Sequence, residues 1–409
     1  MRRLRSLVLI GWAAMTGLAA DWPQWLGPAR DGSTVEKVVP WTAPPKVAWR
    51  LPVGEGHSSP VVADGRVIVH VKVLDKDAEE VLAVDAGTGT VQWRVAYPRG
   101  SFTSIFGNGP RSTPIISGRR VYTLGVTGIL TCLDVTDGKQ LWQVDTAKEF
   151  KPPSLTFGVS SSPLIEGNLL LVNVGAKGAS VVAFDKDQGS VVWKAGDDPA
   201  SYSSPIAFGE GDRRQVVFLT QKGLLALKPA DGSILWQFPF VDLLSESSST
   251  PVRINDFLVA SSVTRGSVAL NLTEQDGKPK VAEKWTAPTL TCYFSTPVAV
   301  GKDQLYMVTG TVIPPPSATL RCVDPQTGKE LWNKPRIGRY HAAMLRTADY
   351  RLLLLDDDGQ LVLIDPDPKG YRELARAKIC GKTWAHPALA NGRLFVRDDR
   401  ELIAVDLGK

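Results

Sequence analysis

A pattern of Asp, Gly and Trp that recurs to the end of the chain constrains this sequence more than any other feature. In its clearest copy, apolar residues lead through Leu82, Ala83 and Val84 to Asp85, followed by Gly89 and Trp93. The alternation up to Asp85 predicts a strand. The Asp side chain then opens a turn, Gly89 supplies a positive φ, and a second strand runs out to the Trp. Further copies carry Cys132, Asp134, Gly138 and Trp142; Ala183, Asp185, Gly189 and Trp193; and Ala226, Lys228, Gly232 and Trp236. A fifth, damaged copy keeps Gly277 and Trp285, and a sixth, intact one has Cys322, Asp324, Gly328 and Trp332. The seventh retains Asp365 and Gly370 with Leu374 or Ala375 where a Trp is due, and the eighth reaches Asp406.

A second marker precedes each hairpin, two small hydroxyl residues and a Pro before an apolar strand. It reads Ser58-Ser59-Pro60, Ser112-Thr113-Pro114, Ser161-Ser162-Pro163, Ser203-Ser204-Pro205, Ser249-Thr250-Pro251 and Ser295-Thr296-Pro297. His341-Ala342-Ala343 and Ala385-His386-Pro387 take its place in the last two units. A period of roughly 43 to 51 residues between tryptophans, with about four short strands inside it, specifies a propeller. Eight units begin, and the eighth lacks an outer strand. An orphan strand ending in Trp49-Arg50-Leu51 stands ahead of the first hairpin and fits that vacancy. Pairing it with the last unit removes an open sheet edge. The expected fold is all-β: an eight-bladed β-propeller of four-stranded antiparallel blades, closed by an N-terminal strand that completes the last blade.

The Ala-x-Asp-x-x-x-Gly-x-x-x-Trp pattern resembles the tryptophan-docking repeat of the pyrroloquinoline-quinone-type (PQQ-like) eight-bladed propellers. That group includes the quinoprotein alcohol dehydrogenases and the BamB-type proteins of the outer-membrane assembly machinery. The resemblance covers nearly all of the chain after its leader, and the opening 21–28, with Trp22 and Trp25, is similar to the start of many secreted bacterial members. It specifies the fold well and the task poorly, because one scaffold hosts many functions.

Residues 1–20 read as a signal peptide. Arg2, Arg3 and Arg5 form a basic start, an apolar core runs from Leu7 to Leu18, and Ala19 and Ala20 offer a cleavage site. The core is short for a membrane span, although an uncleaved anchor is the alternative. Position 21 is Asp, so the lipidated cysteine of BamB-type proteins is missing and a periplasmic or secreted protein is expected. Residues 21–45, with Trp22, Trp25 and Trp41, are expected to pack on the propeller, which occupies 46–409.

Of 47 Lys and Arg against 42 Asp and Glu, three lie in the leader, so the mature chain is close to neutral. Such a balance does not suit a nucleic-acid partner. The four cysteines show no CxxC or CxxCH spacing and read as structural. Asp197-Asp198 and Asp356-Asp357-Asp358 read as solvated turns, and the Pro-rich 313–317 as a rigid connector.

In a propeller, the residues just before each inner strand ring one mouth of the central channel. Here that logic gathers His57, Arg111, Tyr202, Glu246, Tyr340, His341, Trp384 and His386, including three of the four histidines. Imidazole, guanidinium, carboxylate and aromatic groups together suit an anionic or planar ligand. The longest mouth-side insertion, 97–111, carries Phe102, Phe106 and a Gly-rich turn.

The resemblance also implies a test for a dehydrogenase. PQQ with calcium needs stacking groups, cations, a metal-binding carboxylate and a catalytic Asp. The adjacent-cysteine pair common in those enzymes is absent, and no residues match the metal and base positions. The expected function is therefore a non-catalytic, monomeric binding or scaffolding propeller for a protein or envelope component. A PQQ-dependent dehydrogenase and a small-ligand binder at the channel mouth are the alternatives. No catalytic or metal-binding residue and no cofactor is assigned, and no membrane span is expected after leader removal.

Overall fold

The computed structural model describes residues 20–310 and 316–408; the leader reading and most of the Pro-rich connector lie outside them. Eight four-stranded antiparallel sheets are arranged as blades, and in seven of them the strands run from inner to outer in chain order. Blade one is Val61–Ala63, Arg66–Lys72, Ala78–Asp85 and Val91–Pro98. Blade eight takes Ala388–Ala390, Arg393–Arg397 and Glu401–Asp406 from the C-terminus, and its outer strand is Lys46–Pro52 from the start of the chain. That strand pairs antiparallel with Glu401–Asp406, placing Trp49 opposite Ala404. The ring is sealed as the repeat predicts.

The repeat's spacing has two separate physical causes. Within a blade, the small residue before the Asp lies opposite the Trp, as in Ala83–Trp93, Cys132–Trp142 and Cys322–Trp332. In the seventh blade the register puts Ala375, not Leu374, at the tryptophan position. Between blades, each indole reaches the turn of the next. Trp49, Trp93, Trp142, Trp193, Trp285 and Trp332 donate their Nε1–H to the carbonyls of Ala86, Val135, Lys186, Pro229, Pro325 and Asp367. Trp236 departs from the series and bonds Gln215 Oε1 of its own blade, since blade five has the damaged turn.

The hydroxyl marker is also an inter-blade device. Its second residue donates its N–H to the matching hydroxyl of the following blade: Ser59 to Thr113 (3.3 Å), Thr113 to Ser162 (3.0 Å), Ser162 to Ser204 (2.9 Å) and Thr250 to Thr296 (3.1 Å). His386 N–H donates to Ser59 Oγ at 2.9 Å and carries the chain of bonds across the closure. Backbone groups that begin an inner strand have no ladder partner, and these hydroxyls satisfy them.

The lead-in does more than coat one side of the ring. It follows the inner strands around the end of the channel opposite the mouth. Trp22 exchanges two backbone bonds with Val62, Pro23 O accepts from Ile116 N–H, and Gly32 O accepts from Arg346 N–H. Trp25 Nε1 bonds Thr250 Oγ1 at 2.9 Å. Arg30 is buried, its guanidinium bonding the carbonyls of Pro163 (2.9 Å) and Pro205 (3.0 Å). The segment therefore touches the inner strands of blades one to five and seven and closes the far end of the channel.

The acidic runs are only partly the solvated turns expected of them: Asp197 and Asp358 are exposed, but their neighbours are not. Asp356, Asp357 and Asp198 are buried. Asp357 accepts from the Arg339 and Tyr340 N–H groups at 2.9 and 2.7 Å, and Asp356 from Asp358 and Gln360. Carboxylates accept several backbone donors well, so a buried Asp serves where a loop leaves N–H groups unpaired. All four cysteines are buried free thiols. No described helix is long and apolar enough to cross a membrane.

Candidate functional site

The mouth loops enclose a cavity of about 140 Å³ between the blades, with Trp25 of the lead-in as part of its lining. Five of the eight residues expected there line it: His57, Arg111, Tyr202, Glu246 and Trp384. Tyr340 stands behind Trp384, edge to face at 5.8 Å. His341 and His386 are elsewhere. His341 is buried against Ser295 Oγ (3.0 Å), and His386 is wedged against Trp22 and Trp25 with its Nε2 3.1 Å from Met344 O. Both occupy the hydroxyl-marker positions, which point between blades and not into the opening.

The other lining side chains are aromatics and serines. Phe106, at the tip of the long 97–111 insertion, reaches across the mouth. Its ring centroid lies 5.4 Å from Phe157, 6.4 Å from Phe294 and 5.2 Å from Trp384, which arrive on three different inter-blade loops. Phe294 stacks on Trp384 at 4.9 Å and on Tyr293 at 3.7 Å. Phe157 packs on Tyr202 at 5.6 Å. The signal was partly present: Phe294 holds the same place before its Pro as Arg111 and Tyr202 do before theirs. Phe106 and Phe157 lie on loops with no period to read.

Two basic side chains hold the insertion in place. Arg111 bonds the carbonyls of Gly107 (3.1 Å) and Gly109 (3.2 Å) and the Ser104 hydroxyl (3.3 Å). His57 Nε2–H donates to Phe106 O at 2.6 Å. The turn passes so close to the preceding blade that a Cβ on Gly109 would lie 2.2 Å from Glu55 O, so only glycine fits. Burial lowers the His57 pKa to about 4, and the neighbouring Arg111 charge adds to the effect. The ring is therefore neutral at pH 7. Burial also lowers Arg111, to about 10, so it stays charged.

Glu246 carries the opposing charge. Its loop is organised by buried Asp242, which accepts from the N–H groups of Leu244 (2.9 Å), Glu246 (3.3 Å) and Thr264 (3.2 Å). The same loop turns Glu246 inward and leaves Val241, Leu243 and Leu244 exposed. Tyr293 Oη donates to Glu246 Oε2, and burial, with the carboxylate beside it, raises the phenol's pKa.

The fourth histidine belongs to a separate buried network. His70 lies 3.2 Å from Glu79 and accepts or donates at 2.7 Å with Tyr97 Oη, while Arg99 stands 3.6 Å from Glu79. Glu79 Oε1 also accepts from Val126 N–H of blade two. The network joins two blades and does not line the cavity.

With this geometry established, the comparisons are specific. A family profile described as "Outer membrane protein assembly factor BamB" matches residues 32–101, 77–334 and 316–409. The chain belongs to this family. It is 24% identical to the outer membrane protein assembly factor BamB of Yersinia pestis over 294 residues, 70% of this chain and 71% of that one. The solved BamB of Moraxella catarrhalis superposes with a TM-score of 0.61 at 16% identity, covering 89% of this chain and 97% of that one. The quinohemoprotein alcohol dehydrogenase of Comamonas testosteroni superposes at 0.65 with 15% identity, covering 95% and 81%. At these identities the structures show a shared fold alone.

The dehydrogenase neighbours raise the question of a quinone with calcium at the mouth. The residues present do not fit that group. A planar polyanion needs free cationic donors, yet the donors of Arg111 are engaged by its own loop. A cavity of about 140 Å³ is the size of one benzene-like ring. Among the described residues, no three His, Cys, Asp or Glu side chains converge as a metal site. No step is therefore derived through a quinone.

Proposed function

We propose that this protein is an exported, monomeric scaffold of the cell envelope that binds a protein component of outer-membrane assembly through its mouth-side loops. Membership of the BamB family carries this reading. Two structural features support it. Rigid blades present the inter-blade loops on one face, where loop variation changes partners without disturbing the scaffold. On that face Ile105, Leu74, Leu243 and Leu244 are exposed, Ile105 at 89% and Leu243 at 84%. Large apolar side chains held in water by well-bonded loops suit a protein partner. The far end of the channel is filled by the chain's own lead-in, which leaves the mouth face for recognition.

Photo-reactive residues placed in the full chain at Ile105 and Leu243, and at Val192 and Leu331 on outer strands, test this in cells. The expected result is that the two mouth positions crosslink to an outer-membrane assembly component and the outer-strand positions do not. Equal capture at all four sites, or none at the mouth, overturns the proposal.

A further inference from the structure

We propose that the mouth cavity is an aromatic box for a quaternary ammonium group, with Glu246 as its counter-charge. The inference is independent of the partner reading, because it concerns the interior of the mouth and not the exposed loop tips.

Aromatic side chains make up half of the lining, beside His57, Arg111, Glu246 and four serines. Phe106, Phe157, Tyr202, Phe294 and Trp384 line the cavity, and Trp25 closes it from below. Aromatic faces attract cations most when water is excluded. Among the described residues, no Lys, Arg or His lies within ion-pair distance of Glu246 and no backbone N–H donates to it, whereas buried Asp242, Asp356 and Asp357 each accept backbone donors. One of its oxygens accepts from Tyr293 and the other has no hydrogen-bond donor among the described residues.

The alternatives fit less well. An anion would meet Glu246 and find Arg111 already bonded to the carbonyls of Gly107 and Gly109 and to Ser104. It would gain nothing from His57, which is neutral at pH 7. A neutral apolar ring would strip water from the carboxylate and return no charge to it. A lysine ammonium needs three acceptors and a guanidinium needs a two-oxygen fork. Glu246 offers one oxygen without a protein hydrogen bond among the described residues, and the other acceptors of the lining are neutral hydroxyls spread around the wall. A quaternary ammonium has no N–H to satisfy, is weakly hydrated, and presents methyl groups to the rings. The cavity of about 140 Å³ suits a group of that size.

Two sources share this chemistry, a free solute such as choline and the headgroup of phosphatidylcholine. The test is calorimetric titration of the purified full chain with choline and with 3,3-dimethylbutan-1-ol, its uncharged carbon isostere. Choline should bind at one site, at least about tenfold more tightly than the isostere. Glu246→Gln should weaken choline by about tenfold or more and Trp384→Leu by a similar factor, with unchanged melting curves for Glu246→Gln. Co-sedimentation with phosphatidylcholine vesicles, against phosphatidylglycerol vesicles, identifies the lipid source if choline competes. Binding of free choline without vesicle binding identifies the solute. Equal affinity for choline and its isostere, wild-type affinity in Glu246→Gln, or no choline binding at on the order of 10 mM overturns the proposal.

Discussion

The Trp93 indole of blade one lies directly over Gly138 in the turn of blade two, with its Nε1–H bonded to the Val135 carbonyl at 2.9 Å. Gly138 has φ +74°, and a Cβ there would sit 2.6 Å from the indole. Two demands fall on one residue, a left-handed backbone and a bare α-carbon. Gly138→Ala should therefore destabilise the fold by about 2–4 kcal/mol, combining left-handed strain with overpacking. Gly277 has φ +72° with nothing within 4 Å of its would-be Cβ. Gly277→Ala carries only the backbone term and should cost about 1 kcal/mol. Urea denaturation of the two variants should give midpoints in that order.

Trp49 performs the same docking for the closure, bonding Ala86 O at 3.1 Å and packing over Gly89. Its strand is separated by almost the whole chain from its partner Glu401–Asp406. Trp49→Ala should destabilise by about 2–3 kcal/mol, less than a fully buried tryptophan because the ring is partly exposed. Hydrogen exchange should show protection lost first in Lys46–Pro52 and Glu401–Asp406. Uniform loss across all eight blades would mean that the closure is not the weak seam.

The fold was legible because both partners of its main inter-blade contact recur along the chain. A Trp and the Gly it covers each mark their own hairpin, so Trp93 and Gly138 fix spacing and neighbour together. The mouth was legible only as a position. Counting back from each Pro found Arg111, Tyr202 and Trp384, which all line the cavity. The same reasoning placed His341 and His386 in the opening, but at their positions the side chain faces the neighbouring blade. Phe106 was visible as part of the longest mouth-side insertion, but its reach depends on a loop conformation fixed by Arg111 and His57. Trp25 gave no warning of a place at the mouth, because that follows from the lead-in's course around the channel.

Acid should destabilise this protein through its buried histidines. Burial lowers His57 to about 4 and His341 to about 3, against an ordinary value near 6.5. The unfolded chain then binds more protons than the folded one between those values. Stability is complete above pH 6.5 and falls as the pH drops towards 4. His386 is also lowered, to about 4, but both ring nitrogens face carbonyl oxygens, at 3.0 and 3.1 Å, and a neutral ring donates to only one of them. A proton there would gain a bond, so most of the slope is assigned to His57 and His341. Denaturation midpoints measured from pH 7 to 4.5 should fall, and His341→Gln should flatten the curve.

Arg111 acts on the loop before it acts on any ligand. A lysine at this position has all its donors on one nitrogen, whereas Arg111 reaches Gly109 O from Nη1 and Gly107 O and Ser104 Oγ from Nη2. Arg111→Lys should loosen residues 104–109 and release Phe106 from Phe294 and Trp384. Limited proteolysis should cut within 104–108 in the variant and spare the parent. The melting temperature should shift by only about 2–4 °C, since the blades are untouched.

Arg30 is the counterpart at the closed end of the channel. Its guanidinium is buried without a carboxylate within ion-pair distance among the described residues, and it bonds the carbonyls of Pro163 and Pro205 from adjacent blades and the Gln24 side chain (3.2 Å). Burial lowers its pKa to about 9, so it remains charged at pH 7 and its hydrogen bonds are charge-assisted. Arg30→Ala would leave those carbonyls unpaired in a dry site and should cost about 3–5 kcal/mol. Arg30→Lys keeps the charge but loses the planar fork that spans two blades, and should fall between the two. If the side chain staples the lead-in to the channel, Arg30→Ala should also expose residues 20–32 to protease before the blades unfold. A variant that melts lower while this segment stays resistant would make Arg30 a blade-to-blade tie alone, with Trp22 and Trp25 sufficient to hold the plug.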